Sequence, residues 1–110
     1  LHWEKNSIHI ASLENIELNR VDNIDVFQGD ASSLKDKGPF DIIIANLNRN
    51  ILLNDMKHYV SRMNQGGSLL MSGFYANDIP VIQAEAENNG LHLIHHREKN
   101  QWAVVLFRKE

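Results

Sequence analysis

Three short segments carry the residue types best suited to binding chemistry: Gly29-Asp30, Asn46-Leu47-Asn48 and Ser72-Gly73-Phe74-Tyr75. Asn46 directly follows an apolar run, where the backbone would leave a sheet. Its neutral carboxamide offers two donors and an acceptor oxygen, so it can hold an amine, an amide or the amino-acid end of a ligand without adding charge. The competing reading is that Asn46 caps the next helix or closes an Asx turn. Asp30 can accept from an adenine amino group or a backbone amide; alternatively it is the loop carboxylate of a Gly-Asp turn. Phe74 and Tyr75 can wall a substrate pocket, and can equally be packing residues at the base of a loop.

Other chemistries find less support. The six histidines, His2, His9, His58, His92, His95 and His96, raise the question of a metal. His92 and His96 would share a strand face, but no nearby carboxylate completes a set of three ligands, so no metal site is expected. The chain has no cysteine, which excludes disulfides, thiol catalysis and thiolate metal sites. No Ser-His-Asp arrangement stands out. The one Gly-Gly pair, Gly66-Gly67, precedes a strand, whereas a dinucleotide loop follows one. A formal charge of −3 gives no basic field for direct nucleic-acid contact. No apolar run reaches the roughly 18 residues a membrane helix needs, and no signal-peptide pattern opens the chain. A cytoplasmic protein without membrane contact is therefore expected.

The elements that would position these residues follow from the patterning. The 110 residues, 43% of them hydrophobic, suit one domain with one modest core. Leu13 and Ile16 mark the end of an amphipathic helix over 12–19. Residues 23–28 read as a short alternating strand ending in Gly-Asp, and 31–39 as a loop. Phe40-Asp41-Ile42-Ile43-Ile44-Ala45 is a continuous β-branched run, which suits a central strand of a sheet covered on both faces. Leu52, Met56, Tyr59 or Val60, and Met63 then recur at helical spacing over 49–63. Gln65-Gly66-Gly67 predicts a turn before a strand at 68–72. Asn77 or Asp78 can cap a helix with Pro80 in its first turn and Gly90 past its end. Strands at 91–97 and 101–108 are joined by so few residues that they must form an antiparallel hairpin. Alternating strands and helices predict an α/β fold with a mostly parallel sheet ending in that hairpin. Ligands of such sheets bind beyond the carboxyl ends of the strands, where the three segments named at the outset fall.

The segment from Phe40 to Leu52 resembles the "D-hydrophobic-ANI…(I/L)L" stretch of the ribosomal protein L11 methyltransferase family. In the same order, Gly66 to Phe74 is similar to that family's "GG-x-L-x-x-SG" strand, Asn89-Gly90-Leu91 to its next turn, and Gln101 to Leu106 to its terminal "W-x-(A/V)" strand. Ser12 to Asn19 and Gly29-Asp30-Ala31 resemble the helix and strand just upstream. The likeness covers residues 12–108; residues 1–11 fit poorly, and Gln65 stands where a turn proline is common.

The resemblance implies the C-terminal portion of a Rossmann-like class I methyltransferase domain, which uses S-adenosylmethionine to methylate lysine or N-terminal amines of a large-subunit ribosomal protein. It further implies cofactor contact at Asn46 and an adenine-proximal Gly29-Asp30; for direct transfer to a neutral amine, Asn46 is then expected to orient cofactor or amine as the catalytic residue, with Phe74 and Tyr75 walling the substrate pocket. The class carries strands in the order 3-2-1-4-5-7-6, and this chain would hold strands 3, 4, 5, 6 and 7. The expected sheet is therefore incomplete, without the strand and glycine-rich loop that grip the methionyl end, so cofactor binding and turnover are not expected of this stretch alone. Strand 24–28 must then pair directly with strand 40–45, swap into another chain, or stay loose; an exposed strand edge would favour a homo-oligomer. Two rivals stand beside this reading. One is a non-catalytic α/β scaffold. The other is a class I enzyme acting on glutamine amides or nucleobase amines, but such enzymes usually carry Asn-Pro-Pro-aromatic where this chain has Asn46-Leu47-Asn48-Arg49.

Overall fold

The computed structural model describes residues 26–28, 31–34 and 36–110. The strands are β1 (Val26–Gln28), β2 (Phe40–Asn46), β3 (Met63–Tyr75), β4 (Leu91–Lys99) and β5 (Trp102–Lys109), and the helices are α1 (Arg49–Ser61) and α2 (Ile79–Asn88). Short 3-10 turns occupy Ala31–Leu34 and Ala76–Asp78. The helix expected over 12–19 and the Gly29-Asp30 pair lie outside the described residues.

The sheet order is β1-β2-β3-β5-β4. β1, β2 and β3 are parallel, while β5 runs antiparallel to both β3 and β4. This is the arrangement expected of strands 3, 4, 5, 7 and 6 of a class I methyltransferase sheet. Of the three fates open to strand 24–28, direct pairing on β2 is the one observed, with Val26 opposite Ile42 and Gln28 opposite Ile44.

β2 is apolar on both faces because both are buried. Ile43 and Ala45 join Leu69, Met71, Val105 and Phe107 against Leu52, Met56, Tyr59 and Val60 of α1 and Ile82 and Ala86 of α2. Ile42, Ile44, Leu70, Val104 and Leu106 form a second cluster, placed by strand alternation on the opposite face. Each fully buried aliphatic or aromatic side chain here contributes roughly 1.5–3 kcal/mol, and together they hold β2 and β3 rigidly side by side. Among the described residues, no helix is long and apolar enough to cross a membrane.

The expected turn at Gly66-Gly67 proves to be an excursion within β3. Phe40 pairs with Met63 and Ile42 with Ser68, so the residues between Met63 and Ser68 loop out against a short step on β2. Gly66 takes φ +80°, and a Cβ on Gly67 would sit 2.8 Å from the Asn64 carbonyl oxygen. Asn64 Nδ2 also donates to Asp41 Oδ1 at 2.9 Å, tying the excursion to β2. α1 ends at Ser61, short of 63, because Met63 is already paired in the sheet. Lys109, at the end of β5, donates from Nζ to the carbonyl oxygens of Val60 and Met63, at 2.9 and 3.0 Å. Those carbonyls flank the end of α1, where helix acceptors otherwise go unmet.

The hairpin turn is tighter than expected and one residue later. Lys99 pairs with Trp102, leaving Asn100 (φ 51°) and Gln101 (φ 73°) as a two-residue connection. Positive φ at both positions matches the twist of the flanking strands. The Gln101 carbonyl oxygen accepts from the Ala76 backbone N–H at 2.7 Å, so the tip of the hairpin is held to the segment following β3. Within β4 the register shifts between Leu93 and His95. His92 pairs with Arg108, His95 with Leu106 and His96 with Val105. His92 and His96 therefore fall on opposite faces, contrary to the simple alternation, because the irregularity at Ile94 inserts an extra residue between them.

Candidate functional site

Asn46 and Ser72 lie opposite one another at the carboxyl ends of the parallel strands β2 and β3. The buried Ser72 hydroxyl donates to Asn46 Oδ1 at 3.1 Å, and the Leu47 N–H donates to the Ser72 carbonyl oxygen at 2.9 Å. The amide oxygen is thus turned towards β3. Helix capping belongs to a different residue. Asn48, in extended conformation, accepts from the Ile51 N–H through Oδ1 at 3.0 Å and is the N-cap of α1. The competing reading of Asn46 as that cap is thereby overturned: capping needs the residue just before the first helical turn, and α1 starts at Arg49.

Gly73 follows with φ +97°, a conformation that suits glycine. A Cβ there would lie 2.7 Å from the Leu47 carbonyl oxygen and 2.8 Å from Asn46 Oδ1. Absence of a side chain is what lets the two strand ends close on each other. Gly73 is also the extra residue of a β-bulge, since Ser72 pairs with Val104 and Phe74 with Ala103. Phe74, 2% exposed, packs into the core beneath the helices. Tyr75, 49% exposed, stacks on Trp102 with ring centroids 4.4 Å apart and an interplanar angle of 27°.

These elements enclose an open cleft of about 380 Å³, lined by Asn48, Arg49, Asn50, Gly73, Phe74, Tyr75, Asp78 and Trp102. Arg49, in the first turn of α1, donates to Asp78 Oδ1 at 3.1 Å and so links the starts of the two helices across it. Asp78 makes no side-chain capping bond on α2; its carboxylate is turned to the guanidinium instead. The structure brings Phe74 and Tyr75 to the cleft, Phe74 as a mostly covered floor and Tyr75 as an open wall. Asn46 lies behind it, its Oδ1 against Gly73, which lines the cleft. Gly29-Asp30 lies outside the described residues.

Sequence reasoning missed Arg49 and Trp102 as cleft residues and gave Asp78 a different task. The Arg49–Asp78 contact spans 29 residues and has no local signature. Trp102 meets Tyr75 only through the β3–β5 register. A tryptophan opening the terminal strand was the one available signal.

Known proteins of matching sequence and shape bear on this arrangement. The family model for ribosomal protein L11 methyltransferase (PrmA) matches residues 3–110. Ribosomal protein L11 methyltransferase of Bacteroides thetaiotaomicron is 70% identical over 96 residues, covering 87% of this chain and 34% of the relative. The protein of that name from Porphyromonas gingivalis is 54% identical over 94 residues, covering 86% of this chain and 32% of the relative. The chain thus spans about a third of the length of the curated relatives it matches. The crystal structure of ribosomal protein L11 methylase from Lactobacillus delbrueckii subsp. bulgaricus superposes with a TM-score of 0.64 at 26% identity, over 69% of this chain and 40% of that one. A SAM complex of M1.HpyAVI shares the fold at 17% identity, with a TM-score of 0.60 over 79% of this chain and 53% of that one. The sheet order, the glycine-dependent closure of β3 on β2 and the match over nearly every residue lead to one assignment: the chain belongs to the ribosomal protein L11 methyltransferase family.

Proposed function

We propose that the protein containing this chain transfers methyl groups from S-adenosylmethionine to amines, lysine side chains or the N-terminus, of a large-subunit ribosomal protein, in the cytoplasm. The observation that carries the proposal is the locked pair Asn46–Ser72 at the carboxyl ends of β2 and β3, directly behind a cleft with an aromatic wall. In an open α/β sheet this is the edge where ligands sit.

The described residues fit the cofactor in part. Asn46 has the right chemistry and place for its polar end or for the acceptor amine, while Gly29-Asp30, the pair expected near adenine, lies outside the described residues. When bound, S-adenosylmethionine supplies an electrophilic methyl group on a sulfonium. The contribution of this chain is positioning. Ser72 fixes the orientation of the Asn46 amide through Oδ1, and Nδ2 is the donor of that amide. Because this donor is neutral, it orients its partner without opposing a nearby cation. In-line attack by a neutral amine depends chiefly on such placement. The amine must lose its proton before attack, which burial against the apolar Phe74 floor assists by disfavouring the charged form. Tyr75 stands at the open side of the cleft, on the approach to that floor.

The test is methylation of purified ribosomal protein L11 by the full-length protein and by its Asn46→Ala variant. The variant is expected to lose at least about a hundredfold in rate, the scale of a misplaced reacting group, with its melting temperature nearly unchanged. A rate near that of the unaltered protein would sink the role of Asn46. Absence of methylation by the unaltered protein would sink the function.

A further inference from the structure

The cleft contains more than an apolar wall. Tyr75 has one ring face against the indole of Trp102 and remains half in water. On the same cleft lies the Asp78 carboxylate, and its visible partner, Arg49, has a side chain 45% exposed. An electron-rich aromatic face beside a carboxylate is the chemistry that receives an alkylammonium group. The ring quadrupole attracts the cation and its polarised C–H groups, and the carboxylate supplies the opposite charge. An ion pair with so much of its guanidinium in water is weak and screened, so another cation can replace Arg49 at Asp78.

We infer that Tyr75, Trp102 and Asp78 form a subsite for an alkylammonium head, with Arg49 as its resident competitor. The inference rests on the amine-acceptor reading above and extends it: the subsite captures the protonated amine before proton loss and retains its methylated, still cationic products. Tyr75 and Asp78 act here as specificity residues. The Arg49–Asp78 pair closes the subsite when no amine is present.

The experiment is a titration of the full-length protein with choline and with its neutral isostere, 3,3-dimethylbutan-1-ol. Binding is followed at the indole N–H resonance of Trp102, which Trp102→Phe identifies. Choline is expected to saturate the signal in the millimolar range and to bind at least about five times more tightly than the isostere, the scale of an exposed cation–π contact. Tyr75→Leu and Asp78→Asn should each weaken choline about threefold or more while leaving the neutral compound unaffected. Tyr75→Phe should retain binding, which separates loss of the ring from a disturbed fold. Arg49→Met should tighten choline, because it removes the competitor and a like charge. Equal affinity for the two compounds, or no gain with Arg49→Met, would overturn the inference. Methylation with no choline preference rejects the subsite and leaves the function standing; choline preference without any methylation does the reverse.

Discussion

Two ends of the same sheet are built to different tolerances. At the carboxyl ends of β2 and β3, the Asn46–Ser72 contact, the Leu47 to Ser72 backbone bond, the Asn48 cap and the side-chain-free Gly73 all converge. The β4–β5 hairpin is looser. Its outer strand is mostly exposed, one register irregularity leaves Ile94 in water, and its turn places a glutamine at positive φ. Strand ends that present a ligand must hold atoms to within fractions of an ångström, so several contacts specify each one. The edge strand β4 and its turn need only cover the core, and they accept local strain.

Substitutions can break or sharpen this contrast. Gly73→Ala should have the largest effect, a loss of roughly 2–4 kcal/mol, since it adds a Cβ to a contact with no room and a side chain to a backbone that disfavours one. Urea denaturation of the full-length protein reads this, and a loss under about 1 kcal/mol would show that the strand ends can relax. Lys109→Met comes next. It tests whether the hairpin matters beyond coverage, because Lys109 donates to the Val60 carbonyl in the last turn of α1 and to the Met63 carbonyl at the start of β3; the same denaturation assay should show a loss of about 2 kcal/mol. Asn48→Ala removes one helix cap and should cost about 1 kcal/mol, while Asn48→Gly should recover most of it. The smallest change runs the other way: Gln101→Gly should stabilise by a few tenths to about 1 kcal/mol by relieving the positive φ. A Gln101→Gly protein less stable than the original would mean that the turn, too, is tightly specified.

Much of this organisation was legible in the sequence. The β-branched run at 40–45, the helical spacing from Leu52 to Met63 and the Pro80–Gly90 brackets of α2 are local signals, and each became the expected element with shifts of one or two residues at most boundaries. β3 was the exception, because its pairing resumes before the glycines, at Met63, which only a view of β2 reveals. The site was legible as a place more than as a set of contacts. Asn46, Phe74 and Tyr75 could be assigned to strand ends. Capping by Asn48, the Arg49–Asp78 bridge and the Tyr75–Trp102 stack depend on residues far apart in the chain or on a choice between neighbouring asparagines that patterning cannot make. Spacing fixes which face a residue takes only while the strand stays regular, and the irregularities at Gly73 and Ile94 are where that reasoning stops.

The bulge at Gly73 therefore acts as a parity switch on the strand. Upstream of it, odd-numbered residues such as Leu69 and Met71 face the helices; downstream, the even-numbered Phe74 does. Were the bulge flattened with Gly73 kept in the ladder, strict alternation would send the phenol of Tyr75 into the apolar core and turn the bare phenyl ring of Phe74 to the opposite face. The order Gly-Phe-Tyr is thus an instruction read in units of one residue, and a relative without the extra glycine seats the same two aromatics on these faces only if its strand is regular here.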